Sequence, residues 1–167
     1  MVHVGCEDDP ERWTLAILAP VHWPLLWPLA SLCGEPGPCD AWLGGLAAWV
    51  RARDGRSVAA LSCCGGPILA GVLLEWPIRT ARCAGALRLA RCWLVEPGRP
   101  GVVARALEEA LRRRAAELGA DGLLVARDAG LWAGTLRAEG YTDGVEHWFL
   151  PLPRAGGSPC AGRPPSS

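Results

Sequence analysis

Apolar residues recur along the chain with two spacings, one typical of strands and the other of helices. Short apolar runs bounded by Gly, Pro or charged residues predict strands at residues 13–18, 57–63, 68–76, 86–95, 123–126 and 145–152. Helical spacing predicts helices at about residues 23–32, from Asp40 to a stop at Gly55, at 103–118 and at 131–138. The predicted order is therefore strand, two helices, three strands, helix, strand, helix and strand.

Local signals support several of these boundaries. Asp40 is predicted to cap the second helix. Gly65-Gly66-Pro67 separates two apolar runs, which predicts a hairpin. The third helix has the clearest apolar face, formed by Val103, Leu107, Leu111, Ala115 and Leu118, and the pairs Glu108–Arg112 and Glu109–Arg113 are predicted on its outer surface.

Residues 13–34 contain no charged side chain, and the segment is long enough to span a membrane. Three prolines, at positions 20, 24 and 28, would interrupt a single helix, and His22 would lie near its middle. No cluster of positive charge flanks either end. We therefore expect a strand, a turn at Ala19-Pro20 and an apolar helix, with no membrane as a partner.

Charge and composition narrow the class of protein. The 167 residues include 17 basic and 17 acidic side chains, and this balance excludes the broad positive field that drives non-specific nucleic-acid binding. The apolar content predicts one globular domain at residues 1–152, followed by a disordered Pro/Gly/Ser-rich tail at residues 153–167. All the basic residues are arginine, and Lys, Asn and Gln are absent. This usage indicates a bacterial, high-GC genome, and it excludes a lysine Schiff base.

The eight cysteines bear on the compartment. No CxxC pair occurs, and the amino terminus carries acidic residues where a secretory signal would carry basic ones. We therefore expect reduced thiols in a cytoplasmic protein, most of them packed as small apolar core residues. His22, Cys33 and Cys39 have a spacing that matches no familiar zinc site, so no metal is predicted.

Residues 92–152 resemble the motif region of the GCN5-related N-acetyltransferases. Val95-Glu96-Pro97 is similar to a strand end in that family, residues 99–104 to its coenzyme A loop, and Gly140-Tyr141 to its Gly-Phe pair. The order of the upstream elements agrees as well. The resemblance implies an α/β (α+β) fold in which a mixed, mostly antiparallel central sheet is flanked by about four helices.

The resemblance also implies acetyl-CoA or another acyl-CoA as the donor. It assigns donor binding to Val95, Arg99, Pro100, Gly101, Val102, Val103 and Ala104, with Glu96 as a loop residue beside the donor. A turn that opens a helix presents free N–H groups, and glycines let them approach a diphosphate. The loop is degenerate, because Val102 stands where the family has its first loop glycine and the segment is one residue short. An ordinary capped core helix is the alternative.

The usual catalytic groups of the family are missing. Its base is commonly a carboxylate on the fourth strand, but residues 81–94 contain no acidic residue, and Leu136 stands where a catalytic Tyr is common. Glu75 and His147 are the remaining candidates for the catalytic base. Glu75 could instead be a strand-end residue that points to water, and His147 a surface or core residue. Cys92 would be a nucleophile only with a base nearby.

Four further residues are assigned to acceptor binding. His22, Trp23 and Trp27 fall on the predicted first helix, which borders the acceptor site in the family, and Trp76 follows Glu75. Aromatic side chains there would bind an aromatic or aliphatic acceptor. Packing in the core is the alternative for each.

The predicted function is slow acyl transfer from an acyl-CoA to an amine of a small, partly apolar molecule. One alternative is another activated donor, an aminoacyl-tRNA or an acyl carrier protein. The basic run Arg112-Arg113-Arg114 is the only sequence signal for RNA, and its glutamate partners favour a solvated helix face instead. A second alternative is a catalytically inactive binding protein. The pattern does not determine the oligomeric state, and a homodimer is one option.

Overall fold

The computed structural model describes residues 12–81, 83–98, 100–129 and 133–153. The strands are β1 (Trp13–Ile17), β2 (Arg56–Cys63), β3 (Ile68–Ile78), β4 (Ala86–Leu94), β5 (Gly122–Ala126), β6 (Thr142–Asp143) and β7 (His147–Pro151). The helices are α1 (Trp27–Leu32), α2 (Cys39–Arg51), α3 (Val102–Glu117) and α4 (Ala133–Ala138), and a 3₁₀ helix at Pro20–Leu26 precedes α1.

The seven strands form one sheet in the order β1-β2-β3-β4-β5-β7-β6. The β4–β5 pair is parallel, and the other neighbouring strands are antiparallel. The prediction of a mixed, mostly antiparallel sheet with about four helices is confirmed.

The helix predicted at residues 23–32 is divided into two parts. Pro24 lies inside the first part, where its missing N–H prevents a regular α-helical ladder, and this part is a 3₁₀ helix. The α-helix starts only at Trp27, and Pro28 is tolerated in its first turn. Local backbone chemistry therefore overrides the continuous apolar pattern here.

Two other boundaries differ from the prediction. Asp40 lies in the first turn of α2, whose cap position is Pro38, although a carboxylate there still favours the helix dipole. The last strand begins at His147, two residues late, and the short strand β6 was not predicted because two residues carry no periodic signal. The helix predicted at residues 131–138 is observed as α4, and its first two residues lie outside the described part of the chain.

The sheet buries both faces. The helix α3 covers one face, where Leu107 and Leu111 belong to a cluster with Leu87 and Leu89 of β4. The helices α1 and α2 cover the other face, in a separate cluster of apolar side chains. We call these faces the α3 side and the α2 side. Because side chains alternate along a strand, Arg88 of β4 points to the α2 side.

Glu108 is buried, so the prediction that it lies on the outer surface of α3 is wrong. Its carboxylate accepts hydrogen bonds from Arg112 and, at 3.4 Å, from the Tyr141 hydroxyl. Burial raises the pKa of Glu108, and the guanidinium of Arg112 opposes that rise. Burial also raises the pKa of Tyr141. The predicted pair Glu108–Arg112 is therefore present, but it serves an interior contact.

The cysteines are less buried than the sequence suggested. Of the six in the described residues, Cys83 and Cys92 are buried, Cys39 and Cys63 half-buried, and Cys33 and Cys64 exposed. The prediction that most cysteines are core residues is therefore wrong for this part of the chain. Cys6 and Cys160 lie outside the described residues.

The described ranges contain neither a candidate membrane span nor a candidate metal cluster. No helix in them is long and apolar enough to cross a membrane. No group of three His, Cys, Asp or Glu side chains among these residues is placed to hold a metal ion. Residues 154–167 lie outside the described part, so the tail stays a prediction.

Two glycines give opposite expectations for replacement by alanine. Gly55 has φ +81°, and an added Cβ would lie 1.7 Å from the carbonyl oxygen of Trp76. We expect Gly55→Ala to lower the free energy of unfolding by about 2–4 kcal/mol, through backbone strain and overpacking. Gly44 is exposed on α2, and an added Cβ there would meet nothing within 4 Å. Gly44→Ala should therefore raise the free energy of unfolding by about 0.5–1 kcal/mol. Urea denaturation measures both, and equal effects would contradict the close approach at Gly55.

Candidate active site

The strands β4 and β5 separate after a short parallel ladder. Their pairing ends at Leu89↔Val125, whereas β4 continues to Leu94. Ala90 is an extra residue in β4, because the register between β3 and β4 shifts at this position. A bulge of this kind bends a strand and increases its twist. Within the described residues, no strand pairs with the β5 edge of β4 beyond Leu89, and Cys33 donates to the Leu94 carbonyl on that edge.

A row of three charged side chains crosses the α2 side of the sheet. Arg56 of β2 and Arg88 of β4 are the register neighbours of Glu75, and each donates to one oxygen of its carboxylate at 2.7 Å. Arg56 also donates to the backbone carbonyl oxygen of Trp49 at 2.9 Å. Its guanidinium lies 4.7 Å from the centre of the Trp49 indole ring. Two guanidiniums face one carboxylate, so the row keeps a net positive charge.

The position of Glu75 excludes one of the two interpretations of this residue. Its side chain is only 2% exposed, so the expectation that it points to water is wrong. Both carboxylate oxygens accept charge-assisted hydrogen bonds, so guanidiniums hold the carboxylate from two neighbouring strands. The role of Glu75 as a catalytic base stays a prediction.

A tryptophan-lined cavity lies between α2 and the sheet, next to the bulge in β4. Its volume is about 360 Å³, and its walls include Trp42 and Trp49 of α2 and Trp93 of β4. Glu35 and Arg91 also line it. We call it the tryptophan pocket. The Glu35 carboxylate accepts hydrogen bonds from the side chains of Arg91, at 2.5 Å, and Trp93, at 2.7 Å, so the charges at the wall of the pocket compensate each other.

The four residues predicted to bind the acceptor do not line this pocket. His22 is exposed, and Trp23 is buried with its indole N–H donating to the carbonyl oxygen of Leu18 at 3.2 Å. Trp27 is half-buried and packs against Trp42, with 5.5 Å between ring centres. Trp76 is half-buried against the core of the α3 side. Trp27 therefore supports a pocket residue, and the other three lie elsewhere.

Sequence reasoning missed Trp42, Trp49 and Trp93 as pocket residues. Trp42 and Trp49 are seven residues apart and so share one face of α2, a signal that was present. Trp93 lies on β4 and packs edge-on against Trp42, with 5.3 Å between ring centres. Only the packing of α2 on the sheet brings the strand residue and the helix residues together.

A second cavity lies where β5 and β7 meet on the α2 side. Its volume is about 480 Å³, and Leu124, His147, Phe149, Thr80 and Glu146 contribute to its walls. We call it the histidine pocket. Leu124 is the register neighbour of Arg88, so this pocket begins where the charged row ends.

His147 combines a shifted pKa with an unpaired nitrogen. Burial lowers the pKa of His147, and the positive charge of Arg88 lowers it further. The ring is therefore neutral at pH 7 and has a nitrogen able to accept a proton. Among the buried side-chain nitrogen and oxygen atoms of the described residues, the two without a hydrogen-bond partner are Nε2 of His147 and Nε of Arg88. The sequence prediction of His147 as a catalytic base stays a prediction, with this geometry in its favour.

The amino end of α3 is occupied by a side chain of the chain itself. Gly101 stands at the cap position in the left-handed conformation, with φ +86°. The Glu96 carboxylate accepts the backbone N–H of Val103 at 3.1 Å and that of Ala104 at 3.0 Å. Glu96 therefore satisfies two of the N–H groups that a helix start leaves free.

Comparison with solved structures identifies the fold. A probable acetyltransferase of the GNAT family from Chromobacterium violaceum matches with a TM-score of 0.62 at 16% identity, over 84% of this chain and 83% of that one. A ribosomal-protein alanine N-acetyltransferase from Escherichia coli matches with a TM-score of 0.60 at 14% identity, over 86% and 96%. The chain has the GCN5-related N-acetyltransferase fold.

A third structure of this acetyltransferase fold is similar as well. A variant of the spermidine N-acetyltransferase from Vibrio cholerae matches with a TM-score of 0.58 at 11% identity, over 84% of this chain and 94% of that one. No protein-family model and no curated protein matches the sequence. The resemblance inferred from the sequence is therefore confirmed through the fold.

The predicted donor residues of this acetyltransferase fold surround the start of α3. Pro100 and Gly101 precede the helix, Val102 is its first residue, and Val95 follows β4 directly. The N–H groups of Val103 and Ala104, both predicted donor residues, donate to Glu96. Arg99 lies outside the described residues. Two of the N–H groups at the start of α3 are therefore engaged by Glu96 in this structure.

The remaining chemical candidates have interior roles. Cys92 is buried on the α3 side, and burial raises the pKa of its thiol, which disfavours the nucleophilic thiolate. Leu136, at the position where the family commonly has a catalytic Tyr, is buried in the same cluster. Tyr141 is buried there too, with its hydroxyl bonded to Glu108.

We expect Glu75→Ala to be strongly destabilising, because it leaves Arg56 and Arg88 facing each other without a carboxylate. Loss of one partner of a buried ion pair costs about 3–5 kcal/mol, and the partial exposure of the two arginines lowers our expectation to about 2–4 kcal/mol. Glu117→Ala removes an exposed pair with Arg114 and should cost less than about 1 kcal/mol. Similar losses in urea denaturation would show that the charged row does not organise the sheet.

Proposed function

We propose that the protein is an N-acyltransferase that moves an acyl group from acetyl-CoA or another acyl-CoA to the amine of a small, partly apolar molecule. The observation that carries the proposal is the open edge of β4, which begins at the bulge of Ala90 beside the tryptophan pocket. Arg91 and Trp93 belong both to this segment of β4 and to the pocket wall. Solved structures with this fold include enzymes named for acetylating a ribosomal protein and spermidine, which supports an amine as the acceptor.

The open edge suits the extended arm of an acyl-CoA. Backbone N–H and C=O groups of an unpaired strand edge bind extended molecules that carry amides, as they would bind another strand. The arm of coenzyme A carries two amides, and the gap between β4 and β5 starts after Leu89. The thioester would then lie near the bulge, next to the tryptophan pocket.

The tryptophan pocket suits an acceptor with an aromatic or aliphatic body. Three indole rings supply apolar walls, and a volume of about 360 Å³ is enough for a small molecule. The Glu35 carboxylate compensates the charge of Arg91, so no uncompensated charge selects the acceptor at this wall. We therefore assign acceptor binding to Trp42, Trp49 and Trp93, with burial of apolar surface as the main contribution.

Acyl transfer to an amine requires one proton to be removed. The neutral amine nitrogen attacks the thioester carbonyl carbon, the C–N bond forms, the C–S bond breaks with its electron pair on sulfur, and the extra nitrogen proton passes to a base. His147 is the better candidate for that base, because its ring is neutral and one nitrogen is unpaired. Glu75 holds Arg56 and Arg88 in place, and we assign it this positioning role.

The arginine run on α3 gives little support to a tRNA donor. Arg112 is paired with Glu108, Arg113 donates to the backbone carbonyl of Trp13 at 3.0 Å, and Arg114 is paired with Glu117 at 2.9 Å. Guanidiniums held in such contacts are less available to phosphates. An acyl-CoA is therefore the proposed donor, and a catalytically inactive binding protein is the alternative outcome of the assay.

The assay is transfer from acetyl-CoA to a panel of amines with aromatic, aliphatic and purely polar bodies, with the amide product detected by mass spectrometry. We expect product with the apolar amines first, because the pocket walls are indole rings. Trp49→Ala should raise KM for the best amine by about tenfold or more, since burying a large aromatic contact is worth 1.4 kcal/mol or more. Binding of the donor without product from any amine would favour the inactive binding protein.

The pH dependence tests His147 separately. Because the pKa of His147 lies below its ordinary value of 6.5, the ring stays neutral down to that lowered pKa and gains a proton below it. We expect kcat to fall as the pH drops through this range, and His147→Gln to lower kcat by about 10²-fold and to remove the acidic limb. His22→Gln changes an exposed histidine outside both pockets, and it should alter neither kcat nor the acidic limb of the pH profile. If His147→Gln raises KM and leaves the acidic limb unchanged, His147 only lines the pocket and is not the base.

A further inference from the structure

The amino end of α3 contains a conflict between its shape and its charge. Gly101 is left-handed, and an added Cβ there would meet nothing within 4 Å, so there is room beside the cap residue. The helix is 16 residues long, and its dipole favours negative charge at this end. Both features suit an anion, and the anion held there is the chain's own Glu96.

Glu96 binds the helix end as a phosphate oxygen pair would. Its two carboxylate oxygens accept from two consecutive N–H groups, those of Val103 and Ala104. Pro100, just before the cap residue, has no N–H and therefore adds no donor to the two that Glu96 occupies. A second anion would have to approach a carboxylate within a few ångströms, and like charges so placed repel strongly.

We infer that Glu96 is a donor-specificity residue, which competes with the diphosphate of a coenzyme A donor for the amino end of α3. The inference rests on the proposed function, in which an acyl-CoA is the donor. Because Glu96 is tethered two residues after β4, it is present at a high effective concentration whatever the donor concentration is. It therefore lowers the affinity for donors that carry a diphosphate, and it does not affect the part of the donor that lies along β4.

Donor binding requires one hydrogen-bond acceptor at the amino end of α3 to be exchanged for another. For the diphosphate to bind, the carboxylate must leave both N–H groups and become solvated, and the helix then receives phosphate oxygens in its place. A donor without the diphosphate needs no such exchange. Glu96 thus lowers the part of the donor affinity that comes from the phosphates, and it leaves the part that comes from the thioester arm unchanged.

The test compares two ligands across four proteins. The proteins are the native chain, Glu96→Gln, Glu96→Ala and the control Glu117→Gln, and Glu117 is exposed at the other end of the same helix. The ligands are coenzyme A and pantetheine, which has the same arm without phosphates. Isothermal titration calorimetry gives each Kd, and thermal unfolding without ligand reports any loss of stability from the missing cap.

We expect both Glu96 variants to bind coenzyme A about tenfold or more tightly than the native chain, because a like charge is removed. Their affinity for pantetheine should stay within about twofold of native, and Glu117→Gln should match the native chain with both ligands. A Glu96 variant with a lower melting temperature and a tighter Kd for coenzyme A would also support the inference, since a purely structural cap would not tighten binding.

Other outcomes overturn the inference in distinguishable ways. Equal coenzyme A affinity in the native chain and the Glu96 variants would overturn the competition and leave the proposed donor standing. Weaker coenzyme A binding by the variants, or an equal gain for pantetheine, would show that Glu96 shapes the loop. No binding of coenzyme A by any of the four proteins would overturn both the competition and the proposed donor.

Discussion

The strand β5 ends at Ala126, whereas β4 carries an extra residue at Ala90 and continues to Leu94, and the candidate site depends on this difference. The extra residue shifts the register of the following β4 residues against β3. The same displacement places Arg91 and Trp93 on the α2 side, where they form one wall of the tryptophan pocket. The unpaired edge of β4 therefore lies next to a cavity to which the same strand contributes a wall.

Arginine–glutamate pairs provide much of the polar framework around this edge. Glu35 is held by Arg91, Glu75 by Arg56 and Arg88, and each pair fixes a carboxylate beside an apolar wall. A guanidinium donates in a plane to two acceptors at once, so it can hold a carboxylate and a backbone carbonyl together, as Arg56 does. His147 differs from these groups, because its buried nitrogen has no partner.

Sequence periodicity was sufficient for most of the elements and insufficient for the site. Strand and helix order follows from local patterns, and the buried face of α3 followed from the spacing of Leu107 and Leu111. Glu108 was misplaced because a charged residue in a helix is usually exposed, and only the tertiary contact with Tyr141 accounts for its burial. The tryptophan pocket was missed for a related reason, since Trp93 and Trp42 meet only after α2 packs on the sheet.

The amino end of α3 shows what a motif can and cannot convey. The turn and its glycine were visible in the sequence, and Glu96 was placed beside the donor. The contact of its carboxylate with two helix N–H groups depends on how the chain returns from β4 to α3, which spacing alone does not determine. A degenerate loop is therefore better judged by what its N–H groups bind than by how many glycines it retains.

The contact between Arg113 and Trp13 also affects how readily another copy of the chain can pair with the edge of the sheet. Arg12 offers its carbonyl to Cys64 across the sheet, so the carbonyl of Trp13 points to the outer edge of β1, where Arg113 of α3 donates to it. The opposite edge is β6, with only two residues. An incoming strand would have to displace a guanidinium at one edge and would find little backbone to pair with at the other. The contact at Trp13 therefore disfavours the pairing of another strand at that end of β1, which would be the first step of edge-to-edge aggregation.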